Sequence, residues 1–226
     1  MNIYKNILLL LVLLFITIGF TQAQINDFEL WTGVKLSRKI NDKPRLSFEE
    51  EFRFNENATS IKKFHSDIGC SYKLHPKIKL GIYYRFIQKQ KISSDYSSRH
   101  RYYIDLVIAE NIQRLKISIR NRFQTKYTDL YSDDMGMVPN NYLREKLSFE
   151  YNIRKNPITP YISGEIYYQL NGVNSHQFNK YRLTSGVKRK INNNSSIGLY
   201  YRQQNQFNVE DPAYSYILGI SYSYKL

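Results

Sequence analysis

From Phe28 to Leu226 the chain repeats one pattern, an apolar side chain at every second position. A period of two belongs to β-strands whose faces meet different surroundings, and it excludes helices packed at a period of 3.6. Within residues 45–54, Leu46, Phe48, Phe52 and Phe54 fall on one face, and Arg45, Ser47, Glu49, Glu51 and Arg53 on the other. Within 77–86, Ile78, Leu80, Ile82, Tyr84 and Phe86 oppose Lys79, Gly81, Tyr83 and Arg85. Comparable runs occupy 28–39, 63–74, 99–109, 115–127, 142–154, 159–170, 178–190, 196–206 and 214–226, which makes eleven candidate strands.

The intervening segments alternate in length. Short turns are expected at 41–44, 75–77, near Asn111, at 155–157 and at 192–195, and longer polar segments at 55–61, 90–98, 128–141, 171–177 and 207–213. Short turns on one rim and longer loops on the other describe an all-β, transmembrane, up-and-down antiparallel barrel with periplasmic turns and extracellular loops. Bacterial single-chain barrels have an even number of strands, which eleven runs violate. The count is therefore held at ten to twelve. An even number would follow if 28–39 lay outside the wall, if one run were two strands, or if a short strand were hidden in 128–141.

The N-terminus supports the same compartment. Lys5, the apolar run 7–20 and Thr21-Gln22-Ala23 read as a cleaved signal peptide over residues 1–23, leaving 24–226 as a single barrel domain. The apolar run is shorter than the roughly 20 residues that a spanning helix needs. A lone Cys70 rules out an internal disulfide framework.

Two faces alone do not separate a membrane barrel from a lipocalin-like one. Aromatic residues at strand ends favour a lipid-facing band. Phe52, Phe54, Phe64, Tyr84, Phe86, Tyr102, Phe123, Tyr127 and Tyr142 are expected to form a girdle at the loop rim, with Tyr72, Tyr151 and Tyr161 at the turn rim. The final strand presents Tyr214, Tyr216, Leu218, Ile220, Tyr222, Tyr224 and Leu226 on one face, as a strand read by the barrel-assembly machinery does. Glu50 is the exception, because parity puts it on the lipid face; a bulge within 49–51 or a position near the rim would accommodate it.

The segments 27–54, 99–106 (RHRYYIDL), 143–153 (LREKLSFEYNI), 160–169 (PYISGEIYYQ) and 216–226 (YILGISYSYKL) resemble Bacteroidota outer-membrane proteins grouped as domain of unknown function 2490. The resemblance covers nearly all of 25–226. It implies a small outer-membrane barrel and brings no assigned activity or site residue with it.

Function is then sought on the polar face. Lys and Arg number 33 against 19 Asp and Glu, a net charge of +14. Glu49, Glu51, Arg53, His65, Asp67, Arg85, Arg101, Arg120, Arg122, Arg144, Glu165, Arg182 and Arg202 are expected to line the lumen. Arg53, Lys63, Arg85, Lys89, Arg99, Arg101, Arg120, Arg122, Arg144, Lys146, Arg182 and Arg202 are placed at strand ends near the loops, giving a basic upper lumen. Rings of Arg and Lys select anions, so the chain is read as a structural barrel or a narrow, anion-preferring pore. The alternative is a barrel-wall hydrolase of phospholipid or lipopolysaccharide acyl esters, with Ser98 and His100 two residues apart on one face. The cluster Glu49, Glu51, His65 and Asp67 could hold a cation, although paired charges in the lumen are the simpler reading. The acidic loop with Asp129, Asp133 and Asp134 lacks calcium-loop spacing.

No phosphate-loop, dinucleotide or paired-cysteine motif occurs, so no cofactor or metal is expected. Basic residues spread over many strands make nucleic acid remote. The expected partners are outer-membrane lipid and lipopolysaccharide, the assembly machinery during biogenesis, and small anions.

Overall fold

A computed structural model describes residues 26–40, 43–90, 95–128, 139–172 and 176–226. The expected signal segment 1–23 and the acidic residues Asp129, Asp133 and Asp134 lie outside them. Eleven strands form the wall: β1 (Asn26–Lys39), β2 (Pro44–Asn55), β3 (Ser60–His75), β4 (Ile78–Gln90), β5 (Tyr96–Ile112), β6 (Leu115–Thr128), β7 (Asn140–Tyr151), β8 (Ile158–Gln169), β9 (Gln177–Lys190), β10 (Ser195–Gln206) and β11 (Tyr214–Lys225). Each pairs antiparallel with the next, and β1 pairs with β11 to close the barrel.

The closing pair is parallel. Asn26 faces Tyr214, Trp31 faces Gly219 and Ser37 faces Lys225. Eleven strands are joined by ten antiparallel steps, and an even number of reversals leaves the first and last strands running the same way, so only a parallel ladder joins them. The segment 28–39 is thus a full member of the wall, and among the described residues the count is eleven without any run being split; most of 128–141, where a hidden short strand would make the count even, lies outside them. The first strand begins at the long-loop rim and the last ends at the short-turn rim.

The connections on the short-turn rim are 40–43, 76–77, 113–114, 152–157 and 191–194. Those on the other rim are 56–59, 91–95, 129–139, 170–176 and 207–213. One expected loop, 55–61, contracts to a tight turn in which Glu56, Asn57 and Ala58 all take positive φ.

Every strand exposes a large apolar side chain outward: Val34, Phe48, Ile68, Ile82, Ile104, Ile119, Leu147, Ile162, Leu183, Leu199 and Ile220 are examples from β1 to β11 in turn. An exposed apolar surface that encircles the molecule far exceeds what soluble monomers show and marks the wall as lipid-facing. Two residues of the expected girdles are not on that face. Tyr142 alternates with Arg144 and points inward, and Tyr161 packs inside against Trp31, Tyr200 and Ile217. In both, the aromatic residue falls on the parity of the charged side chains, and parity outranks residue type. Glu50 does stay on the outward parity, between Val34 and Ser66; the only nearby bulge in the β2–β3 pair comes later, at Arg53–Phe54.

Interior glycines make room for rings. A Cβ on Gly69 would lie 2.0 Å from the Tyr83 ring, and one on Gly219 would lie 2.0 Å from the Tyr200 ring. Each ring therefore lies flat against a neighbouring strand's bare backbone and fills the space its glycine leaves.

The parallel closure has a direct test. In a Cys70→Ser background, Thr32→Cys with Ile220→Cys should form a disulfide on mild oxidation, because these positions face each other across β1 and β11. Phe28→Cys with Tyr224→Cys, which an antiparallel closure through the same pair would bring together, should remain unlinked on a non-reducing gel.

Candidate functional site: the barrel interior

The inward face carries charge along its whole length, and its chemistry changes with depth. At the waist a cavity of about 330 Å³ is lined by Glu49, Glu51, Arg53, Asp67, Arg85, Arg120, Arg122, Arg144, Glu165, Arg182 and Arg202, together with Lys35, Lys79, Asp105 and Lys146. Most of the cations assigned from sequence to the loop rim lie here. The strands run 12 to 17 residues, so positions that look terminal in a ten-residue strand are in fact central.

Burying so many guanidinium groups requires counter-charges at close range. Arg122 makes a bidentate pair with Asp105 at 2.5 and 2.7 Å. Asp67 accepts from Arg85 Nε at 2.6 Å and from the Tyr103 hydroxyl at 2.5 Å, both through Oδ2. Glu165 is the most heavily used carboxylate. It accepts from Arg144 Nη2 at 2.8 Å and from Arg120, and Arg182 Nη1 stands 3.6 Å away. Arg144 also donates to Gln124 Oε1 at 2.7 Å.

Aromatic faces hold the same cations from the other side. Arg122 lies 3.7 Å from the Tyr103 ring centre, Arg144 lies 4.3 Å from Tyr167, and Arg53 lies 3.5 Å from Trp31. Guanidinium groups are planar and weakly hydrated, so they can stack on a ring while their edges serve a carboxylate. Lysine could not do both with the same geometry. Tyr103 in turn stacks on Tyr83 at 4.9 Å, which continues the layer across β4 and β5.

The cluster singled out as a cation site is present but already engaged. Ligand atoms of Glu49, Glu51 and His65 lie within 4.8 Å of one another. Lys35 Nζ donates to Glu49 at 3.0 Å, Arg53 donates to Glu51, and Arg85 takes Asp67. His65 is 1% exposed and its Nε2 stands 3.8 Å from Glu51. With three cations on the carboxylates, the charge that would attract a metal is spent on ion pairs.

Toward the long-loop rim a second cavity, about 340 Å³, is lined by Lys62, Lys63, Lys89, Arg99, Arg101, Lys126 and Lys180, with Arg53 below; Glu29 is the one carboxylate in that lining. Toward the short-turn rim a third cavity, about 710 Å³, is lined by Lys35, Lys39, Lys43, Arg45, Lys73, Lys77, Lys79, Lys116 and Lys225, with no carboxylate in its lining. The sequence reading placed the excess of cations at the loop rim and overlooked this second basic vestibule. Lys35, Lys39 and Lys225 carry the right parity in β1 and β11, and parity is the signal that could have located it. Trp31, Tyr103 and Tyr167 were also missed as interior residues, since they sit among charged neighbours and are themselves aromatic.

Ser98 and His100 lie on the outward face of β5, near the loop rim. Gln88 Nε2 donates to the Ser98 hydroxyl at 2.9 Å, and His100 Nδ1 hydrogen-bonds the Tyr84 hydroxyl at 2.7 Å. The imidazole is also packed between Tyr84 and Phe86. A nucleophile and base need each other as hydrogen-bond partners, and here each is held by a different β4 residue.

A family model described as Protein of unknown function (DUF2490) matches residues 28–215. The chain belongs to this family. The match spans from the third residue of β1 to the start of β11, so the DUF2490 unit is the barrel itself. Among solved structures, a bacterial polysaccharide outer membrane secretin aligns with a TM-score of 0.53 at 11% identity, over 81% of this chain and 63% of that one. The DUF2490 barrel thus spans less than two thirds of that protein's length. The β-domain of the Bordetella autotransporter BrkA aligns at a TM-score of 0.48 and 10% identity, over 77% of this chain and 81% of that one. The NanC porin aligns at 0.46 and 14%, over 88% and 99%. At such identities the likeness concerns fold alone. No curated protein matches the sequence.

The waist yields a stability prediction. Glu165→Gln leaves Arg120, Arg144 and Arg182 around a neutral amide in a buried layer, and should destabilise the DUF2490 barrel by about 3–5 kcal/mol. Urea unfolding in detergent, followed by tryptophan fluorescence from Trp31, checks this.

Proposed function

We propose that this protein is an outer-membrane β-barrel of narrow-pore type whose interior favours small anions. The observation that carries the reading is the sign of the charge at both mouths, where lysines and arginines outnumber carboxylates in each cavity lining. A low-dielectric wall around such a vestibule concentrates anions and repels cations. At the waist, anions would pass beside guanidinium groups that are already paired, which favours weak, exchangeable contacts over tight capture.

Outer-membrane placement is supported by the encircling apolar face and the signal-like N-terminus. Lipid and lipopolysaccharide are then the surroundings of the wall. The apolar and aromatic outward face of β11 suits recognition by the assembly machinery. A second reading, a closed structural wall, is favoured by the ion-pair layer, because Glu165 alone ties residues from β6, β7 and β9 across the waist. A hydrolase reading would require Ser98 and His100 to exchange their present partners for each other.

Planar-bilayer recording separates the first two. In a potassium chloride gradient the reversal potential should lie on the chloride side, and Lys73→Glu with Lys116→Glu, at the short-turn mouth, should move it toward potassium. A wall without a path would give no steady conductance with either protein.

A further inference from the structure

We propose that the cavity at the long-loop end is a binding site for a compact, multivalent phosphoryl anion. The proposal rests on the reading of the interior as an anion environment, and it adds a ligand chemistry and a place. Like charges face each other at both basic ends, as Lys73 does Lys79 at the short-turn rim, and the long-loop end differs in holding an arginine whose Nε is buried without a partner. At the long-loop end like charges face each other directly across the wall: Lys63 is opposite Lys89 on β3 and β4, and Arg101 is opposite Lys126 on β5 and β6. Like charges at directly opposite positions destabilise a sheet. Lys180 adds a further cation to the same cavity from β9.

The carboxylate in this lining cannot relieve them. Glu29 already accepts from Lys62 Nζ at 2.6 Å, Trp31 Nε1 at 2.7 Å and the Ser215 hydroxyl at 2.9 Å. Arg101 Nε is shielded from solvent and has no hydrogen-bond partner. At the waist, by contrast, Arg85, Arg122 and Arg144 each meet a carboxylate oxygen within 2.8 Å. Arg101 thus lacks the counter-charge that Arg85, Arg122 and Arg144 have at the waist.

The size and charge of the gap select the ligand. A halide brings one charge and no directed acceptors. A phosphoryl group brings about two charges and three terminal oxygens, which can accept from a guanidinium edge and from several ammonium groups together. The cavity's 340 Å³ accommodates a diphosphate-sized ion with some water. The phosphoryl group could belong to a free anion or to a phosphorylated lipid headgroup at the loop rim, and both share this chemistry.

Pyrophosphate titrated into the full barrel, folded in a phosphate-free neutral detergent, tests the site by calorimetry. Saturable one-to-one binding is expected, weakening with salt. Arg101→Gln with Lys63→Gln should lower affinity by about 10-fold or more, as loss of charge-assisted hydrogen bonds implies. Lys73→Gln with Lys116→Gln, at the other mouth, should leave it unchanged. Because the first pair of substitutions relieves repulsion, that variant should fold at least as stably as the parent, which heat-modifiable gel migration reports. Absence of saturable binding by the folded parent, or equal loss in both variants, overturns the proposal.

Repeating the titration with a phosphorylated glycolipid and with its dephosphorylated form identifies the source. Competition by the phosphorylated form alone assigns the site to a headgroup, and absence of competition assigns it to a free anion. Conductance is read separately: a barrel that binds pyrophosphate and conducts nothing contradicts the pore reading only, and one that conducts and does not bind contradicts this inference only.

Discussion

In a bilayer no water serves exposed peptide groups, so the wall must satisfy its own hydrogen bonds around a complete circuit. Ten antiparallel steps leave β1 and β11 pointing the same way, and the circuit closes through twelve facing positions of a parallel ladder. Parallel ladders are slightly weaker per residue than antiparallel ones. The seam is reinforced from within, where Trp31 on β1 packs with Ile217 on β11 and Tyr200 on β10 in the interior's one buried apolar cluster among the described residues. Glu29 ties β1 to Ser215 on β11 through its carboxylate. Closure also sets parity: Trp31 can point inward only because its partner, Gly219, does so on the same count.

Once closed, the wall gathers many cations on its inner face, and the waist meets that demand with shared carboxylates and aromatic faces. Asp67, Asp105 and Glu165 serve Arg85, Arg122, Arg120 and Arg144. Tyr103 and Tyr167 lie beneath the guanidinium planes and hydrogen-bond carboxylates with their hydroxyl groups. Such a lattice is unforgiving, since removing one member leaves several others uncompensated. Toward the ends the ion pairs are more exposed, as where Lys62 meets Glu29 and Lys116 and Lys188 meet Glu150.

Much of this was legible in the chain. The alternation in 45–54 and 77–86 placed Phe48 and Ile82 outward and Glu51 and Arg85 inward, because a strand's side chains change face at every residue. The family likeness read from 27–54 and 216–226 corresponds to the strands that meet at the seam. Depth was harder to read. Arg122 and Arg144 look like strand-end residues when strands are assumed short, yet they sit at the waist and are paired. Tyr161 looks like a girdle residue, yet it lies inside because its position matches that of Ser163 and Glu165.

The sequence by itself determined the strands, their two faces and the sign of the interior charge, since each follows from local periodicity and composition. Tertiary structure alone decided how the odd strand closes, which cations meet a carboxylate and which face only one another. Those outcomes depend on register between segments far apart in the chain: Ser215 reaches Glu29, and Arg120 reaches Glu165 across an intervening strand. A period of two says which way a side chain points. It carries no information about the height at which that side chain meets its neighbour, and here that height separates a neutralised waist from two basic mouths.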